Sequence, residues 1–157
     1  MSESIAIQTD TTIQLATFYL EEMLIGIELE TVQEINRNIE LTPVPHSPEF
    51  IKGIINLRGN VVTVIDLRII LGLTKTDITE NTSVVIVNHE NEQIALLVNK
   101  VADVIYAQTD LLETPPANLT DTESKYFKYI YKMEKELLMV LNITEILNIN
   151  LEQTQTD

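Results

Sequence analysis

The chain has 157 residues, 45% of them hydrophobic, and carries a net charge of −14 from 24 acidic and 10 basic side chains, with no cysteine. That is enough to bury a core in one domain or in two small coupled lobes, and it excludes disulfides and thiolate metal sites. The acidity repels phosphate backbones and anionic lipids, and the longest apolar runs, Val84–Val87 and Ile94–Val98, fall far short of the roughly 20 residues that cross a bilayer.

The first residues, Met1-Ser2-Glu3-Ser4, lack the basic stretch and apolar run of a secretory signal, so a cytoplasmic location without membrane insertion is expected. Residues 1–12 and 151–157 are polar and read as loose tails around a single domain over 13–150. Gln14–Leu20 and Leu24–Leu29, joined through Glu21-Glu22, predict a hairpin. Ile39–Thr42 runs into Pro43, Pro45 and Pro48, which end strand pairing. Gly53–Leu57 and Val61–Leu67 predict a buried hairpin turning on Arg58-Gly59-Asn60, where Gly59 supplies a positive φ. A short helix from Leu67 closes at Gly72, and Thr74–Thr82 is a polar linker. Ser83–His89 and Gln93–Asn99 predict a third hairpin, with Val101–Ala107 as a further strand. Phe127–Met133 and Glu136–Leu141 flank Glu134-Lys135 as a fourth hairpin before a terminal helix over 143–150. Many short strands with few helices imply a mainly β fold, and the polar break near 74–82 suggests two lobes, about 13–75 and 83–142. No motif repeats at a fixed period.

Catalytic chemistry finds little support. The only histidines, His46 and His89, have no recognisable nucleophile or acid beside them, and with no cysteine they do not make a metal site. The four glycines are isolated, so no phosphate-cradling loop is present. Glu21-Glu22 reads as solvated charge at a turn, and Asp66 as the cap of the helix beginning at Leu67. Glu34 and Arg58 stand out as charges in apolar surroundings, and an ion pair between them would fix one loop against another. Arg58 reads either as a structural partner in that pair or as a recognition residue. Val32, Ile35, Val101, Val104 and Ile105 form an apolar set that is either core or the lining of a groove.

The stretch Val32-x-Glu34-Ile35, then Pro43-Val44-Pro45-x-x-Pro48-x-Phe50-Ile51-x-Gly53-Ile54-Ile55-Asn56-Leu57-Arg58-Gly59, then Val61–Arg68, resembles the CheW family of chemotaxis coupling proteins. The likeness extends through Leu71-Gly72-Leu73 and Leu97–Val104, spanning roughly 15–147. Thr63 stands where that family commonly has proline, and Asn99 and Asn142 where it commonly has aspartate. The resemblance implies two small SH3-like five-stranded β-barrels side by side, with short helices including one near the C-terminus. It implies a non-catalytic adaptor without cofactor, recruited to receptor arrays. Its partners would be the cytoplasmic tips of chemoreceptors and the regulatory domain of a CheA-type histidine kinase. Carried over by motif position, Val32, Glu34, Ile35, Gly53, Arg58 and Gly59 fall in the coupling region, and Val101, Val104 and Ile105 in a receptor groove between the barrels. Two alternatives stand beside it: an adaptor of the same kind in another motility or kinase pathway, and an oligonucleotide-binding β-barrel. The second would want aromatic platforms and basic grooves, which a chain with 5% aromatics and this charge lacks.

Overall fold

The structure is a computed structural model that describes residues 11–37, 39–74, 76–115 and 125–155, with side chains described as far as 149. Eleven strands are formed among these residues: β1 (Thr12–Leu20), β2 (Met23–Glu28), β3 (Val32–Asn36), β4 (Ile51–Leu57), β5 (Asn60–Ile65), β6 (Ser83–His89), β7 (Glu92–Val98), β8 (Lys100–Val101), β9 (Ile105–Gln108), β10 (Phe127–Lys132) and β11 (Leu137–Leu141). Two α-helices, α1 (Leu67–Ile70) and α2 (Ile143–Gln155), and two 3₁₀ turns, Leu29–Thr31 and Thr109–Leu111, complete the inventory.

The strands divide into two sheets, one ordered β10-β11-β2-β1-β8 with β9 also on β1, the other β3-β6-β7-β5-β4. The expected mainly β fold with two lobes is therefore present, but the lobes do not divide the chain at the polar linker. A central barrel takes β3 to β7, and a terminal barrel is assembled from β1 and β2 at one end of the chain and β8 to β11 at the other. The division into 13–75 and 83–142 fails because a local dip in hydrophobicity marks a loop, whereas lobe membership is decided by strand pairing between distant segments. Likewise, the 151–155 part of the supposed C-terminal tail is helical, continuing α2 to Gln155. Its Glu and Gln residues are good helix formers that extend a packed first turn.

The two barrels follow one topology. In the central barrel β6 and β7 pair antiparallel, β7 meets β5 in parallel, and β5 pairs antiparallel with β4. In the terminal barrel β1 and β2, β2 and β11, and β11 and β10 repeat that sequence of pairings. The edges close alike. The segment after β3 reaches back to β4, with Thr42 N–H and Ile54 N–H each donating to the other's carbonyl at 2.9 Å. The segment after β9 reaches β10 through the pair Glu113 and Ile130, at 2.9 and 2.7 Å. In each case the strand before the helix ends in a capping side chain: Asp66 accepts from Arg68 N–H ahead of α1, and Asn142 from Glu145 N–H ahead of α2. Asp66 and Asn142 also donate their own N–H to Phe50 and Tyr126, both at 2.8 Å. The second barrel is thus the first with its cycle opened at a different loop, which is why no fixed period appears in the sequence.

Three apolar clusters result. Ile55, Leu57, Val62, Val64, Val84 and Ile86 fill the central barrel. Leu15, Leu24, Ala107, Leu138 and Val140 fill the terminal one. The largest lies between the sheets, where Phe18, Leu20, Ile25 and Ile27 from one meet Val85, Val87, Ile94 and Leu96 from the other, sealed by Ile146 and Leu147 of α2. Strands such as β6 and β7 therefore bury both faces, alternate residues entering different clusters, and this explains their unbroken apolar runs.

Candidate functional site

The hairpin joining β4 and β5 turns through two residues, Arg58 and Gly59, with φ of 52° and 90° between the paired Leu57 and Asn60. Two consecutive positive φ values match the right-handed twist of the strands, and Asn56 Oδ1 fixes the turn by accepting from Gly59 N–H at 2.9 Å. Both the glycine and the non-glycine adopt the left-handed conformation, so the turn throws the Arg58 side chain outward. Its guanidinium meets Glu34 on β3, Nη1 donating to Oε2 at 2.5 Å. β3 and β4 are opposite edges of the central sheet, so this ion pair spans the seam where the barrel closes. Arg58 is 74% exposed and Glu34 23%. An exposed pair of this kind contributes only about 0.2–1 kcal/mol to stability, and most of the guanidinium's donors face solvent.

Gly53 sits at an irregularity in the β4–β5 register with a φ of 148°. A Cβ there would lie 2.5 Å from the Thr42 carbonyl oxygen. Its part in the coupling region is thus architectural: it admits the closing segment that bears Thr42. The central sheet also carries exposed apolar side chains, Ile35 on β3 and Val61 on β5, the latter 66% exposed.

The five apolar residues of the supposed groove separate. Val32 and Val101 are half-buried against the cluster between the sheets, which fills that space, so these two stand at its margin. Val104, between β8 and β9, is 45% exposed. Ile105 turns away from that margin: half-buried, it pairs with Leu15 and packs against the cluster that fills the terminal barrel, because residues opposite one another in an antiparallel pair share a face.

The sequence reading missed a buried polar network. Arg68, only 5% exposed, donates from Nε and Nη2 to the two carboxylate oxygens of Asp66, each at 3.0 Å. Its Nη1 donates to Glu21 Oε2 at 2.7 Å and to the Thr76 carbonyl at 3.3 Å. Glu21 is therefore no solvated turn charge. Its lowered pKa reflects a balance: burial pushes the carboxyl up, but the Thr76 N–H, Arg68, Asn99 and the Thr76 hydroxyl together hold it below the usual range. An Arg at 68, two residues after Asp66 in an otherwise apolar run, was the available signal, though nothing local couples it to Glu21. Asp66 also keeps its expected capping role.

His46 lies exposed in the proline-rich loop, and His89 comes within 4.0 Å of the Glu90 carboxylate. Among the described residues no three metal-ligating side chains converge, and no helix is long and apolar enough to cross a membrane.

Comparison with known proteins agrees with this architecture. The CheW-like domain family model matches residues 14–150. The chemotaxis protein CheW of Treponema pallidum is 28% identical over 141 residues, covering 87% of this chain and 83% of its own. That of Bacillus subtilis is 30% identical over 123 residues, covering 78% and 79%. The crystal structure of the scaffolding protein TtCheW from Thermoanaerobacter tengcongensis superposes with a TM-score of 0.77 at 30% identity, over 83% of this chain and 88% of that one. A matching family model over nearly the whole described chain, joined to a shared two-barrel structure, establishes that this chain belongs to the CheW family of chemotaxis proteins.

Proposed function

We propose that the protein is a non-catalytic adaptor that couples transmembrane chemoreceptors to a CheA-type histidine kinase, working in the cytoplasm at receptor arrays. The observation that carries this reading is the Glu34–Arg58 pair: a charged group presented at a barrel seam, largely exposed, with most of its donors unspent and exposed apolar residues on the flanking strands. Such a face suits recognition of another protein, in which Arg supplies directional hydrogen bonds and neighbouring apolar groups supply burial. A receptor's helical tip would lay apolar side chains against the margin marked by Val32, Val101 and Val104, while a second face engages the kinase regulatory domain. The adaptor then links two conformational equilibria and makes or breaks no bond. Individual contacts need only be weak, because many copies held together raise the effective concentration.

A pull-down with a CheA regulatory domain and a receptor tip fragment tests this reading. Wild-type protein is expected to retain both, Arg58→Ala to lose at least one, and Val104→Asp to lose the receptor fragment. Failure of the wild type to retain either would refute it.

A further inference from the structure

We propose that Glu21, Arg68 and Thr76 form a pin that fastens the Thr76–Thr82 segment across the junction of the two barrels and positions Asn99, where the chain passes from the central barrel to the terminal one. The inference is independent of which partner the protein serves. Glu21 lies at the β1–β2 turn of the terminal barrel, and Arg68 on α1 of the central barrel. Thr76 stands in the segment between α1 and β6, and every polar group it has is engaged. Its N–H and hydroxyl both donate to Glu21 Oε2 at 3.1 Å, its carbonyl accepts from Arg68, and its hydroxyl accepts from Asn99 Nδ2 at 3.0 Å. Asn99 is held from the other side too, its Oδ1 accepting from Glu21 N–H at 2.7 Å and its own N–H donating to the Tyr19 carbonyl at 2.9 Å.

One carboxylate oxygen thus gathers three donors from two places in the chain, and charge-assisted bonds of this kind are the strong ones. Asp66 holds Arg68 in place through two parallel bonds, so the guanidinium reaches Glu21 already oriented. The segment has little else to hold it there. Ile78 is exposed, and the turn closed by Thr79 and Thr82 bonds within itself and to the adjoining Ser83. Beyond Asn99, Lys100 and Val101 pair with Tyr19 and Phe18, so the pin also sets the start of the strand that bears Val101. Arg68 acts here as a positioning residue, through Thr76 and Asn99.

Amide exchange and ¹⁵N relaxation of the full chain test the proposal in Glu21→Gln and in Thr76→Val. Losing one charge-assisted hydrogen bond should speed exchange of the Thr76 amide about tenfold in Glu21→Gln. Order parameters over Thr76–Ile78 should fall and the Asn99 and Lys100 resonances should shift, with β6 and β7 amides exchanging as in the parent. Thr76→Val removes only the hydroxyl's bonds at an exposed position; it should loosen the same residues less, and it decides the matter if Glu21→Gln does not fold. The proposal is overturned if the Thr76–Ile78 backbone stays as ordered as in the parent, or if β6 and β7 loosen to the same degree, which is mere loss of global stability.

Discussion

At Gly53 a side chain would collide with the backbone of Thr42, in a conformation that other residues seldom adopt. Gly53→Ala should therefore cost about 1–3 kcal/mol from backbone strain alone, seen as a lower urea midpoint at unchanged slope. Gly59→Ala meets no neighbour and should cost less, since only its positive φ is lost. Residues whose role is set by their immediate neighbours were legible in the sequence, the turn at Arg58-Gly59 and the cap at Asp66; the attraction between Glu34 and Arg58, 24 positions apart, was legible because each is a charge in an apolar run. Glu21 was not, because two adjacent glutamates at a turn look solvated and the arginine that engages one of them stands 47 positions later. Gly53 was read from motif position alone; its physical reason, the approach of Thr42, belongs to barrel closure.

At the scale of elements, the β1–β2 turn is tied to α1 by a charge that titrates. The Glu21 carboxyl is held below its ordinary value of 4.5 in the fold and regains that value on unfolding, so in acid the unfolded chain binds the extra proton. The stabilisation is complete above that value and is lost as pH falls through the depressed one. Glu21→Gln should accordingly lower stability at neutral pH and flatten the acid limb of a urea-stability profile below about pH 4.5; an acid limb identical to the parent's would remove Glu21 from the account. Strand periodicity located most hairpins, since short β-prone runs between turn residues need little context. It could not assign faces where both are covered: Ile105 and Val101 look alike in sequence, yet one packs against the cluster inside the terminal barrel and the other against the cluster between the barrels.

For the whole molecule, the inter-sheet cluster predicts that the barrels unfold as one unit. All five tyrosines, at 19, 106, 126, 129 and 131, lie on or beside strands of the terminal barrel, so tyrosine fluorescence follows that barrel while far-UV circular dichroism follows both. The two transitions should coincide, and Phe18→Ala, which opens a cavity between the sheets, should shift both together by about 3–5 kcal/mol; separated midpoints would mean independent lobes. The two-lobed β architecture was legible from strand density and motif resemblance. The chain's route through it was not, because pairing first strands with last leaves no local mark. The central claim is that this molecule works by presenting a face at the Glu34–Arg58 seam. Its most direct test is receptor-stimulated kinase activity reconstituted with wild type and Arg58→Ala at matched stability: the account predicts that the variant folds with its urea midpoint within about 1 kcal/mol of wild type yet loses most of the stimulation, and a folded variant that stimulates as fully as wild type would contradict it.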